Sequence, residues 1–343
     1  MNLKSKKMKL KIYRQARLFT LKLCLVSVPF LSSIKLNAQD STVVNETPEA
    51  PAKVKPVKNT FQSIWLIDNQ TVMVPIKKTL EFDFQHRMGV IDWDHGSQDL
   101  WGLYGTGANI RLGMNYSPKD NLNVGIGITK ANMLLDLNAK YAIIKQTEGQ
   151  SPVSITWYGN AAVDTRPKEE VTLYNGEPIV HNTDRYSFFN QVLIARKIND
   201  KLSLQVAPSW SHQNAVWGYY TSYDTATKQY GDKYKSMNNE HFAIAVSGRY
   251  KYSDLCAIIF NYDQPLTKHN QYNPNPNLSL GLEVNTSSHT FQVFFTNYNL
   301  LSPQRNNMYN QNNPFSEYTD ANNKVHKGYQ YLIGFNITRM WNY

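Results

Sequence analysis

The sequence predicts an all-β chain, a transmembrane antiparallel up-and-down β-barrel of about twelve strands. Three observations predict it. Apolar residues recur with period two along most of the chain; the composition is polar on average yet rich in aromatics; and the linkers alternate between short and long. Charged residues are 18% and aromatics 13%, with 22 tyrosines, and mean hydropathy is −0.49. A barrel, whose strands alternate an apolar face with a polar one, fits that balance. A helical membrane protein would need runs of about 18 apolar residues, and none follows the N-terminus.

The formal charge of +10 belongs to the first residues. Lys4, Lys6, Lys7, Lys9, Lys11, Arg14, Arg17, Lys22 and Lys35 fall in 1–38, which contain no acid. Without these nine, 27 cations face 26 acids, a net of +1. No basic surface for phosphates is left, so no nucleic-acid partner is expected. Residues 1–38 read as a signal peptide: a basic stretch, the apolar segment Leu18–Leu36, then cleavage after Ala38. Lys22, Pro29 and Lys35 interrupt that segment and disfavour a membrane anchor. Lys22 also spoils a lipoprotein site at Cys24. With the leader removed, Cys256 is the remaining cysteine, without a partner for a disulfide or a CxxC metal site, and it reads as a small strand hydrophobe.

Residues 39–60 read as a disordered linker, with three prolines, mixed charges and no aromatic. Residues 61–78 read as an ordered lead-in near the periplasmic rim, and 79–343 as the barrel. Leu80, Phe82 and Phe84 alternate with Glu81, Asp83 and Gln85; a helix would space them at three and four. The pattern continues at Ile110–Tyr116, Leu122–Thr129, Leu135–Ile143 and Val153–Trp157. It resumes at Tyr186–Ile198, where the phase is ambiguous, then at Leu202–Trp210, Phe242–Tyr250, Leu255–Tyr262, Leu278–Val284, Phe291–Phe295 and Tyr329–Tyr343. These segments make twelve strands.

Turns at Ser117–Asn121, Gln146–Ser151, Asn199–Lys201, Ser253–Asp254 and Asn285–His289 are short and built from turn formers. Val90–Thr106, Asp164–Thr183, His212–Glu240, Asp263–Asn277 and Asn299–Gly328 are long and polar. Lys130–Asn132 is short where a long loop is due. Short periplasmic turns and long external loops are the barrel topology of the outer membrane, with both termini periplasmic. A soluble exported β-sandwich would share the alternation. It would not ordinarily confine long loops to one end, nor place Tyr116, Tyr141, Trp157, Trp210, Tyr250, Tyr262 and Trp341 near strand ends like an interfacial girdle.

The closing strand ending on Tyr343 is similar to the terminal strand by which outer-membrane proteins reach the barrel-assembly machinery. Arg339 interrupts its apolar face near the end, where it can snorkel. Phe61-Gln62-Ser63, Thr71-Val72, Leu80-Glu81-Phe82, His86-Arg87-Met88-Gly89, Gly102-Leu103, Ala108–Gly113 and Val124–Gly127 together resemble an uncharacterised β-barrel family of Bacteroidota, catalogued as a domain of unknown function. The resemblance is close over 61–130 and diffuse beyond. It implies the barrel and the outer membrane and brings no activity.

No enzyme site is expected. Asp92-Trp93-Asp94-His95-Gly96 gathers potential ligands, but the spacing fits no EF-hand loop and no second cluster completes it, so no metal or cofactor is expected. His212, His241 and His289 read as polar surface residues. Ser211 and His212 beside Asn214 resemble a lipase pair on a barrel's outer face, yet adjacent strand residues face opposite sides. The lumen is the expected seat of function. Glu81, Asp83, Arg87, Arg111, Asp136, Lys140, Arg249 and Glu283 are expected to face it, and that even balance of signs disfavours strong ion selectivity. The chain is therefore expected to be a narrow channel for small polar solutes. The alternative is a non-conducting scaffold in outer-membrane lipid whose long loops, His212–Glu240 and Asn299–Gly328, bind a ligand or an unknown partner.

Overall fold

The computed structural model describes residues 55–93, 99–105, 107–167, 177, 179, 181–227, 229–315, 317–319, 323, 325–326 and 329–342. The leader and most of the linker therefore lie outside the described residues.

Twelve antiparallel strands close into one barrel. In chain order they are β1 (Thr79–Arg87), β2 (Asn109–Lys119), β3 (Leu122–Thr129), β4 (Leu134–Ile144), β5 (Ser154–Asp164), β6 (Tyr186–Lys197), β7 (Leu202–Gln213), β8 (Glu240–Lys251), β9 (Cys256–Pro265), β10 (Asn277–Asn285), β11 (His289–Thr296) and β12 (Leu332–Asn342). Each pairs with its neighbour in sequence, and β12 closes on β1 in a register running from Gly334↔Arg87 to Asn342↔Thr79. Closure pairs every edge, so no strand presents open backbone groups to lipid.

The pleat sorts the side chains. In β1 every second residue from Thr79 to Arg87 is buried, and the residues between are partly exposed. Outward positions hold Ile126, Leu137, Leu280 and Val293, exposed by 46%, 60%, 59% and 56%. A continuous apolar belt of this kind would be a liability in water and is what a barrel presents to hydrocarbon.

The strand of ambiguous phase, β6, has two apolar faces. Phe188, Val192 and Ile194 point outward, while Phe189, Leu193 and Ala195 are buried inside. What covers that inner face corrects the expectation of a lead-in at the rim. The segment from Lys55 to Lys78 goes into the barrel, turns at a small hairpin (Trp65–Leu66 paired with Asn69–Gln70), and comes back. Its ends are fixed where the short turns lie. The Val57 N–H donates to the Gln146 carbonyl and the Lys78 N–H to that of Ser117. The reason is hydrophobic. Phe61, Leu66, Ile67 and Val72 pack with Tyr158, Phe189, Leu193, Ala207, Ala245, Ile259 and Phe294 in one core, inside the barrel. Each such side chain contributes roughly 1.5–3 kcal/mol on leaving water.

The last long loop also differs from a purely external one. Helix α1 (Pro303–Tyr309) turns into the opposite end, with Gln304, Asn307 and Met308 buried. By contrast, Gly218–Tyr220 pairs with Lys233–Lys235 and, nested inside, Tyr223–Asp224 with Gln229–Tyr230, in the loop between β7 and β8.

Candidate functional site: the occluded lumen

All eight residues expected in the lumen are buried, from 0% exposure at Glu81 and Arg87 to 5% at Asp136 and Arg249. They form four local groups. In the first, the Arg111 Nη1 lies 2.8 Å from Asp83 Oδ1, and its Nη2 and Nε reach the two Asp136 oxygens at 2.9 and 3.1 Å. The Asn115 and Asn160 amides donate to the same two carboxylates at 3.1 and 2.9 Å. The Trp65 ring of the hairpin covers the guanidinium, 5.3 Å from ring centroid to Cζ. Gly113 and Gly127, directly opposed on β2 and β3, let Arg111 cross between Asp83 and Asp136. A Cβ on Gly113 would stand 2.1 Å from Asp83 Oδ2, and one on Gly127 would stand 2.1 Å from Arg111 Nη2.

In the second group the partner is the hairpin itself. Lys140 Nζ donates to the carbonyls of Ile64 and Met73, one on each leg, both at 3.2 Å. Glu81 lies within electrostatic reach of Lys140 and Arg111, and neither of its oxygens has a hydrogen-bond partner among the described residues.

Third, Arg87 Nη2 meets Asp68 Oδ2 at the hairpin tip at 2.9 Å. The Arg87 Nη1 donates to Asn336 at 3.0 Å, and its Cζ lies 4.6 Å over the Phe294 ring. In the fourth group, Arg249 Nε contacts Glu283 at 2.7 Å, and Glu283 accepts from Gln292 at 2.9 Å.

Sequence reasoning missed the hairpin's other partners. Asn69 Nδ2 donates to Asn261 and Asp263 at 2.5 and 2.7 Å. The Val72 N–H donates to Gln205 at 3.1 Å, and the Ile67 N–H to Gln292 at 3.1 Å. Asn336 Nδ2 donates to the Ile67 carbonyl at 2.6 Å. These contacts hold Ile67 at φ +62°, a left-handed conformation unfavourable to a β-branched residue. The sequence pattern puts Asp263 in a loop and Asp68 in the lead-in, which hides both as lumen charges.

From the long-loop end, Gln304 donates to Asn160 and Ser187 at 3.1 and 3.2 Å, and Asn307 donates to Ser209 at 3.4 Å. Arg305 donates to both Glu177 oxygens at 2.9 Å. Between Trp65 of the hairpin and Leu301–Pro303 lies a void of about 10 Å³, room for a single water. The hairpin thus occupies the barrel from the short-turn end, and the helix packs on the wall at the long-loop end.

One histidine expectation needs correction. His241 is fully buried, its Nδ1 3.0 Å from Nε2 of His269. His212 lies on the outer face, its ring nitrogens 2.5 Å from Glu240 and 2.8 Å from Asn214, whereas Ser211 points inward and is buried. Serine and histidine are therefore on opposite faces. Of the Asp92–Gly96 cluster, residues 94–96 lie outside the described residues. Among the described residues no group of three or more His, Cys, Asp or Glu side chains is placed to hold a metal.

A closed barrel of twelve strands with an apolar outer belt and a polar, chain-filled interior defines a membrane β-barrel. The chain belongs to the family described as membrane bound beta barrel domain (DUF5777), which it matches over residues 61–341. No curated protein matches it. Among solved structures it is similar in fold to the NanC porin at 9% identity and a TM-score of 0.41, covering 77% of this chain and 99% of that one. It is also similar to the KdgM porin, solved in complex with disordered oligogalacturonate, at 10% and 0.39, covering 77% and 99%. A third is an outer membrane channel from Pseudomonas putida F1, at 9% and 0.43, covering 78% and 97%. Such likenesses concern the course of the chain alone.

Proposed function

We propose that this barrel is a closed conduit of the outer membrane, which passes small polar solutes only when its N-terminal hairpin leaves the lumen. The carrying observation is how the hairpin is held. It is no strand of the wall, and its backbone is fastened by replaceable side-chain hydrogen bonds, from Lys140, Gln205, Gln292 and Asn336. The wall left behind would carry its polar and charged side chains beside the apolar strip of Phe189, Leu193 and Ile259. Lys140, released from the two carbonyls, would face Glu81, so departure of the plug need not strand both charges. In this reading the short-turn end and both termini are periplasmic, residues 1–38 direct export, and β12 addresses the assembly machinery. The earlier resemblance points to a source in Bacteroidota, and the role is transport rather than catalysis.

The test is planar-bilayer conductance of three forms of the full chain. The intact protein should be mostly silent with rare discrete steps. A form with residues 62–73 replaced by a Gly/Ser segment of equal length should conduct steadily. A form crosslinked between cysteines placed at 69 and 261, with Cys256 replaced by Ala, should stay silent until the linker is cleaved. If the replaced form reconstitutes as a barrel yet never conducts, the second reading stands: a scaffold whose loops bind a partner. The small paired strands between β7 and β8 favour that alternative, because Tyr219, Tyr220, Tyr223, Tyr230 and Tyr234 pair there as tilted rings with centroids 4.6–5.1 Å apart.

A further inference from the structure

At the short-turn end the legs of the hairpin part before leaving the barrel and border an open cavity of about 470 Å³. That volume is within the range of small-molecule sites, about 300–1,000 Å³. Its walls are mostly apolar: Val57 and Phe61 come from the inbound leg, and Val72, Val74 and Ile76 from the outbound leg. Ile76 is exposed by 61% although it borders this concavity.

The polar part has one sign. Lys55, Lys58 and Lys145 line the cavity, and among the described residues no acid does. An acid at this rim, Asp120, is already hydrogen-bonded. Its carboxylate accepts the Lys77 N–H at 2.8 Å, and its carbonyl accepts Lys145 Nζ at 2.9 Å. Three like charges around one concavity repel each other, and a single anion among them would relieve that repulsion.

We infer that this cavity binds a small amphipathic organic anion, a soluble carboxylate with an apolar body. The carboxylate would lie among Lys55, Lys58 and Lys145 and the body against Phe61, Val72 and Val74. Apolar burial would supply most of the affinity, and the lysines would select for charge. A neutral molecule of the same shape would gain only the first contribution. The site does not depend on whether the barrel conducts, since binding is read directly.

The probe is 2-naphthoate, with 2-naphthamide as its uncharged counterpart. Each is titrated into the detergent-solubilised full chain by calorimetry, in a detergent of neutral headgroup. The naphthoate should bind saturably at one site per chain, at least tenfold more tightly than the amide. The Lys55→Gln/Lys58→Gln/Lys145→Gln variant should lose that preference, and Val57→Trp, which fills the cavity, should lose binding of both. Folding of each variant is checked by its mobility on unheated gels. Equal binding of acid and amide, or an unchanged preference in the folded triple variant, would overturn the inference.

Discussion

Arg87 on β1 and Asp68 at the hairpin tip meet at 2.9 Å, with side-chain exposures of 0% and 9%. This pair joins wall to plug at the deepest point of the hairpin. The Arg87 guanidinium is also held by Asn336 and by the face of Phe294, so its position does not depend on Asp68. The plug is anchored to a pre-set cation.

Removing one partner should therefore loosen the hairpin and spare the barrel. Asp68→Ala leaves a buried guanidinium without its counter-charge, a loss of about 3–5 kcal/mol for a buried pair. Hydrogen exchange at residues 64–72 should accelerate strongly while β1 to β12 stay protected. Exchange at wild-type rates would show that the pair does not hold the hairpin.

Gly113→Ala should strain the first charged group. Its Cβ would meet Asp83 Oδ2 at 2.1 Å, so Asp83 must swing and Arg111 lose an ion-pair partner. The expected loss is about 1–3 kcal/mol, the usual range for overpacking. It is read as a lower midpoint in the heat-induced gel shift. Gly149→Ala, where a Cβ meets nothing within 4 Å but φ is +71°, gives a smaller control effect of about 1 kcal/mol from backbone strain alone.

Ile126 lies on the lipid face, between Met114 and Leu137 of the adjoining strands. Ile126→Arg should destabilise the barrel in bilayers by about 2–4 kcal/mol if that position is near the midplane. The fraction folded into vesicles measures it. Folding equal to wild type would remove the outer belt from the hydrocarbon.

The loop following β9 should respond to acid. His269 Nδ1 accepts the Asn238 N–H at 3.0 Å, a bond only an unprotonated nitrogen can accept, and His241 faces its other nitrogen. Burial lowers the His269 pKa below its ordinary value of 6.5. The unfolded loop then binds the proton more readily than the folded one, so this contribution is present above about pH 6.5 and fades as pH falls below it. Proteolysis at 266–273 should rise between pH 7 and 5 in the intact protein. It should stay flat across that range in His269→Gln.

The strands were legible in the sequence because period two is local: Leu80, Phe82 and Phe84 against Glu81, Asp83 and Gln85 need no knowledge of the rest of the chain. Where the phase failed, at Tyr186–Ile198, the cause lay more than a hundred residues away. Phe189 and Leu193 face Phe61 and Leu66, not water. Helix α1 was hidden for a similar reason. Pro303–Tyr309 has no long amphipathic repeat, and its polar residues are buried against Asn160, Ser187 and Ser209. A Pro at the first helical position after Ser302 was the available signal.

The sequence alone thus determined a twelve-strand barrel, the phase of most of its strands and the presence of its interior charges, because strand alternation and turn chemistry act between near neighbours. Only the tertiary structure decided what those charges hold. Lys140 and Arg87 are spent on the hairpin, and Arg111 spans a glycine gap to two acids on different strands. Such pairings depend on barrel closure and on apolar burial of residues 61–72 inside it. Both are long-range events that leave no period in the chain.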